Sequence, residues 1–354
     1  MEKSLSNKLN ILTFYLIFMV VICHSYNVTG LGIERNKDWI YYIEYLFAIE
    51  MTRAFIGIFF FISGFLFFYN HDLKVKTFIA KLKKRCKTLV LPYVIWCVFW
   101  FFVIYAIQYI PEVSQFFKER IHDMPISKQI WLALVEPLNY PFWFIRELIF
   151  YVFLTPLVYL GIKYLRVFFL LILGGLIFID PPSILSINNI NLFQFYGLFV
   201  FSCGAYAAIH GFKLISRFKT PVYVLILLSW IICLVLNFNI REWYAESFWL
   251  TIVFKRITMV VGFITIWCLY DLLDRKYNFT NKSIYEFRFF IFATHGLAIT
   301  YFTKIYVKLI GENDLALIAL FFITPLITTI ICFGMGRLIQ KFTPKVYRLI
   351  TGSR

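Results

Sequence analysis

Ten stretches of this chain are apolar for long enough to dictate its surroundings. They fall at about 9–26, 52–69, 88–110, 141–162, 166–181, 191–210, 220–238, 249–271, 286–306 and 314–336. Hydrocarbon about 30 Å thick takes roughly 20 apolar residues of helix to cross. Lipid offers no partner for a backbone N–H or C=O, so only helices or a closed barrel can cross it. The pattern predicts an all-α polytopic membrane protein with about ten transmembrane helices. Composition agrees: 61% of residues are apolar and 15% charged, against about 45–50% and about 25% in soluble chains. Forty-three Phe and 23 Tyr suit lipid contact and interfacial belts. A disordered chain, a disulfide-stapled secreted domain and a nucleic-acid reader are excluded. The seven cysteines show no C-x-x-C spacing, and six lie in apolar runs, so they read as packing residues with no disulfide framework and no metal site. No internal repeat or soluble insert appears, which leaves residues 1–354 as a single integral membrane domain.

Charge sets the expected orientation. The excess of +16, from 35 Lys and Arg against 19 Asp and Glu, is explained first by basic residues gathering in cytoplasmic loops. With the N-terminus inside, 22 of the 35 fall in inner segments and 8 in outer ones. The inner set includes Lys3, Lys8, seven residues within 70–87, and five in the tail from Arg337. The outer set is Arg35, Lys37, Lys118, Arg120, Lys128, Arg241, Lys304 and Lys308. Both termini are therefore expected in the cytoplasm. Segment 9–26 reads as a retained anchor, because Cys23-His24-Ser25-Tyr26 stands where a signal peptide carries a small-residue cleavage site. Residues 40–50 are expected to add an interfacial helix.

Ionisable groups inside a span are costly and by default mark function. His24 lies fifteen residues after Leu9, about 22 Å along a helix, in the outer part of the membrane. It reads either as a functional group or as a histidine hydrogen-bonded at the interface. His295 sits near mid-membrane, with a buried structural histidine as the alternative. Arg146 and Glu147 adjoin on one segment and point about 100° apart, so each is expected to meet another helix. A structural ion pair with a group such as Glu50 is the plainer reading. Lys255 and Arg256 either snorkel to the headgroups or hold an anionic substrate. By depth, His24, Arg53, Arg146, Lys255 and Arg256 are expected to cluster in the outer half, with His295 just beneath. The basic run Lys81–Lys87, holding Lys84 and Arg85, serves orientation and is also placed to grip phosphates from inside.

Five motifs in order resemble the acyltransferase-3 family of integral membrane acyltransferases. They are Asn10–Thr13 with Val20–Ser25 ending on His24, Phe59–Phe65, Arg85 with Leu91-Pro92-Tyr93, Phe142–Leu148 with Pro156 beyond, and Phe289–His295. The resemblance spans nearly the whole chain. One position departs from it: the family usually places Arg eleven residues before the histidine, and here Thr13 stands there. Eleven residues are about three turns, so that Arg would share the face of His24, about 16 Å below it. Lys8 is offset to the far side of the helix, leaving Arg288 or Arg85 to supply the charge.

The resemblance implies a membrane-bound O-acyltransferase with acyl-CoA, most often acetyl-CoA, as co-substrate and no permanently bound cofactor. The acceptor is a hydroxyl of an envelope saccharide, and the location is the bacterial inner membrane. His24 is then the general base, with an acyl-histidine as the variant. Arg146, or Lys255, stabilises the oxyanion, and His295 positions substrate or relays a proton. Lys84, Arg85 and Arg288 fall to the CoA phosphates; Arg53, Glu147, Lys255 and Arg256 fall to the acceptor. The rival reading is a non-catalytic glycan exporter on the same scaffold. The Thr13 departure favours it, and the lack of paired Gly/Pro-broken helices in corresponding halves counts against it.

Overall fold

The computed structural model describes residues 2–26, 39–72, 74–114, 117, 119–179, 186–187, 190–191, 193–244, 247–311 and 313–353. Of the basic residues counted above, Arg35, Lys37, Lys118 and Arg354 lie outside them. The helices in chain order begin with α1 (Lys3–Ser25), α2 (Trp39–Tyr45), α3 (Thr52–Phe68), α4 (Val75–Arg85) and α5 (Leu91–Ile107). Next come α6 (Pro111–Ser114), α7 (Ile126–Leu134), α8 (Trp143–Phe153), α9 (Thr155–Leu165), α10 (Val167–Ile179) and α11 (Phe195–Ile209). The chain ends with α12 (Thr220–Trp243), α13 (Phe248–Tyr277), α14 (Arg288–Ile310), α15 (Asp314–Phe342) and α16 (Pro344–Thr351). Among the described residues, the one β pairing joins Ser186–Ile187 to Ile190–Asn191.

Each expected segment coincides with a helix or a bent pair, but six helices have the length and apolarity of a membrane crossing among the described residues. They are Lys3–Ser25, Trp39–Phe68, Val75–Ile107, Thr220–Trp243, Phe248–Tyr277 and Asp314–Phe342. The expected single span 141–162 is a pair, Tyr140–Phe153 and Thr155–Leu165, bent by 55°, which makes a seventh if counted as one. Pro156 explains the bend, since its ring clashes with the carbonyl four residues back and it has no N–H to donate. α10, with 13 residues, and α11, with 15, reach about 20 Å and 22 Å, short of the hydrocarbon thickness. The expected interfacial helix at 40–50 is instead continuous with α3, through a π-helical turn at Leu46–Met51. A second π turn, Cys86–Val90, joins the basic helix α4 to α5. Large apolar side chains left outside on α12, such as Leu225, Ile232 and Val235, suit a lipid-facing surface. The chain is a multi-pass integral membrane protein.

The chain forms two compact units. One comprises Met1–His71, Leu157–Pro181 and Phe195–Gly334. In it α3 and α11 touch backbone to backbone: a Cβ on Gly64 would strike the carbonyl of Phe201, and one on Gly204 that of Phe61. Small residues allow such close approach where helices pack in lipid. Ala54, Trp230 and Leu234 form a second contact, and Gly262 leaves room there for the Trp230 ring. α1 packs on α3 and α14. Lys8 fastens its inner end, donating to Asp271 Oδ2 at 2.7 Å and the Leu214 carbonyl at 3.0 Å, with its ammonium 4.2 Å from the Trp267 ring centre. Lys8 is therefore a buried anchor and does not serve as the loop charge that its sequence position suggests.

The other unit comprises Asp72–Pro156, Pro182–Gln194 and Met335–Arg354. α5 and α7 share a core of Phe101, Ile121 and Leu132. α16 lies on α5, where Trp96 Nε1 donates to the Ile350 carbonyl at 2.9 Å. Gly352, at φ +67°, ends that helix against the backbone of Thr88.

Candidate active site

Contact between α1 and α14 stacks His24 on His295. Their ring centroids are 5.3 Å apart and their planes 17° apart. Both positions are set by helical spacing, one in the last turn of α1 and the other in the third turn of α14. His295 is fully buried. Its Nδ1 lies 2.7 Å from the carbonyl of Phe292 and 3.3 Å from that of Ile291. A carbonyl only accepts, so Nδ1 carries the hydrogen and Nε2 of the neutral ring holds a lone pair. Among the described residues Nε2 has no hydrogen-bond partner. The pair thus presents a ring of fixed tautomer, its Nε2 lone pair unshared, stacked on a second imidazole.

One residue before His24, the Cys23 thiol is hydrogen-bonded to Thr52 and faces Arg53. This ties the histidine turn of α1 to the start of α3. Arg53 donates to Glu50 Oε1 at 2.6 Å, and Asn237 Nδ2 donates to Glu50 Oε2 at 2.7 Å. Glu50 is buried within the π turn, a rare geometry that recurs at functional sites. Glu50 is held by Arg53 and Asn237, and sequence spacing carried that signal, because Glu50 and Arg53 stand three apart and share a helix face.

At the inner end of α1, Thr13 turns its hydroxyl back to the Leu9 carbonyl. Arg288 reaches across from α14 to the side chain of Asn10 and also donates to the Tyr285 carbonyl at 2.8 Å. Asn10 and Thr13 are three residues apart, so Arg288 brings a guanidinium to the face of α1 that carries Thr13. Asn10 continues through Asn281 to Asn7, with both bonds 2.8 Å.

Arg256 is buried and packs between helices: its Nε lies 3.3 Å from the Ile177 carbonyl and its guanidinium 5.5 Å from the Tyr196 ring centre. These contacts hold its guanidinium within the helix packing. Lys255 beside it is half-buried.

In the second unit, Arg146 is buried and donates to the Val135 carbonyl at 2.5 Å. Glu147 is buried as well, with Oε2 3.0 Å from the Tyr151 hydroxyl. That hydroxyl also reaches the Gln194 carbonyl at 2.8 Å. The two neighbours therefore take different partners, as their angular separation requires. Arg85 is half-buried at the end of α4, and Lys84 is exposed.

Sequence reasoning missed Tyr26, Tyr41, Tyr45 and Arg241, which gather beside the histidine turn. Tyr41 and Tyr45 stack with centroids 6.0 Å apart, Tyr26 stands 6.3 Å from each, and the Arg241 guanidinium lies 3.6 Å from the Tyr45 ring centre. The available signal was the density of tyrosine and glutamate across 41–50.

Comparison with known proteins adds two findings. The family described as an acyltransferase domain matches residues 7–337. Over 375 residues the chain is 27% identical to the succinoglycan biosynthesis protein ExoH of Rhizobium meliloti (strain 1021), a match that covers 100% of this chain and 94% of that protein. No solved structure matches the chain.

Proposed function

The chain belongs to the acyltransferase-3 family, and from that premise we propose that it moves an acyl group, acetyl in the simplest case, from acyl-CoA at the cytoplasmic face to a hydroxyl of an envelope saccharide on the outer side. The observation that carries this reading is the His24–His295 stack, with the hydrogen of His295 committed to the Phe292 carbonyl. His24 takes the proton of the acceptor hydroxyl as its oxygen attacks the thioester carbon. A C–O bond forms and the C–S bond breaks. The proton on His24 then passes to the departing CoA thiolate, with His295 Nε2 as the relay. The similarity to a succinoglycan biosynthesis protein supports a polysaccharide as acceptor.

Arg146 stands as the oxyanion stabiliser and Glu147 as an acceptor contact through their motif. Arg85, Lys84 and Arg288 are assigned to the CoA phosphates, because guanidinium groups match phosphate geometry. Arg53 acts through Glu50, and Lys255 is a further acceptor contact; the packed setting of Arg256 supports a positioning role. Residues 1–354 act as one domain of about ten membrane helices, the short α10 and α11 among them, in the bacterial inner membrane, with both termini cytoplasmic, as the loop charges support.

The test is turnover of radiolabelled acetyl-CoA by the purified chain with saccharide acceptors present. Acceptor-dependent release of CoA that disappears in His24→Gln is the expected result. An absence of turnover, with glycan export dependent on the chain, replaces the enzyme with a transporter.

A further inference from the structure

Three helix ends meet beside His24: the C-terminus of α1, the α2 segment before the π turn, and the C-terminal part of α12. From them Tyr26, Tyr41, Tyr45 and Arg241 project into one cluster. Tyr26 caps α1 two residues after His24. The Tyr26 and Tyr41 side chains are hydrogen-bonded, and both residues are half-buried, so ring surface and hydroxyl edge remain accessible. Tyr45 is buried beneath them, covered by the Arg241 guanidinium at 3.6 Å and hydrogen-bonded to Glu50. Glu50 in turn is clamped by Arg53 and Asn237. The rings therefore stand on a rigid base, and the lost side-chain entropy that weakens a flexible binding surface is small here.

An aromatic face carrying hydroxyls at its edge suits one ligand chemistry. The apolar C–H face of a pyranose lies on the ring, while its hydroxyls exchange hydrogen bonds with phenol and guanidinium groups. Charge narrows the choice. Arg53 is paired with Glu50, and Arg241 with Glu242 at 3.1 Å; Glu44, close enough to act on the Tyr26 hydroxyl, adds a buried carboxyl group. The cluster holds no surplus positive charge for a carboxylated sugar.

We propose that Tyr26, Tyr41, Tyr45 and Arg241 form a saccharide subsite for a neutral pyranose, which it presents to His24. The proposal deepens the acyltransferase reading and rests on it for the link to chemistry. Binding is separable from that reading.

The experiment titrates the detergent-purified full chain with cellotetraose, maltotetraose and tetragalacturonate by calorimetry. In parallel it measures acceptor and donor KM with acetyl-CoA. A neutral tetrasaccharide binds more tightly than tetragalacturonate. Tyr41→Ala and Tyr26→Ala raise its Kd and the acceptor KM by about tenfold, with donor KM and melting temperature unchanged. Tyr41→Phe, which keeps the ring, stays within about threefold. Three results overturn the subsite: no neutral sugar binds, tetragalacturonate binds best, or both alanine variants bind like the native chain. The cluster is then an interfacial tyrosine belt. Sugar binding that is lost in the alanine variants, without acyl transfer by the native chain, keeps the subsite and removes the enzyme reading.

Discussion

Replacing His295 with asparagine separates the two nitrogens of its ring. An asparagine Nδ2 stands the same number of bonds from Cβ as histidine Nδ1, so it keeps the donation to the Phe292 carbonyl, 2.7 Å long in the native chain. Nothing in asparagine reaches the place of Nε2. The variant retains a hydrogen bond of about 0.5–1.5 kcal/mol and loses two ring atoms from a fully buried site. It also buries an amide oxygen, and the combined loss of stability is about 1–3 kcal/mol. A proton relay through Nε2 is worth more. Removing such a group slows turnover by about 10²–10⁴-fold, equivalent to about 2.7–5.4 kcal/mol of barrier. His24→Gln should slow turnover by a similar factor. Because the rings stack at 5.3 Å, the double variant should be no slower than the slower single one, as expected of residues acting as one unit. The assay follows acceptor-dependent release of CoA thiol from acetyl-CoA, with thermal unfolding measured on the same samples. A folded His295→Asn chain within about threefold of native turnover refutes the relay. Costs that multiply across the double variant show that the two histidines act independently.

Lys8→Met leaves the Asp271 carboxylate buried without its cation and should destabilise the chain by about 3–5 kcal/mol; Lys8→Met with Asp271→Asn should recover part of that in thermal unfolding, and recovery of none counts against the pairing. Gly64→Val drives a side chain into the Phe201 carbonyl and should abolish folded material on size exclusion. Gly175→Ala, where nothing lies within 4 Å of the added carbon, should be neutral or gain up to about 1 kcal/mol. For topology, a cysteine at Lys83 should react with an impermeant maleimide only after the inner face is opened, and one at Asp123 should react from outside. Reversed labelling inverts the proposed orientation.

The class of this protein was legible in one dimension because a lipid solvent imposes its demands on sequence directly. Segment length, apolar content and loop charge answer to bilayer thickness and to the cost of burying ions, so the helices stood close to where the chain places them. The His24 and His295 motifs were legible as well, since each lies within a single helix. Other features depended on partners far away in sequence. Lys8 read as a loop charge until Asp271, 263 residues on, was found beside it. Gly64 read as part of a motif, and its smallness is required by the Phe201 backbone of another helix. Arg256 read as a cation that either snorkels or holds a substrate, and its packing against Ile177 and Tyr196 appears only in the fold. The tyrosine density of 41–50 was visible, but not that Tyr26 and Arg241 join it from other helices. A single helix fixes the spacing of its own side chains, but which face meets which neighbour is decided only when helices pack, and there the stacked imidazoles and the clustered tyrosines come into being.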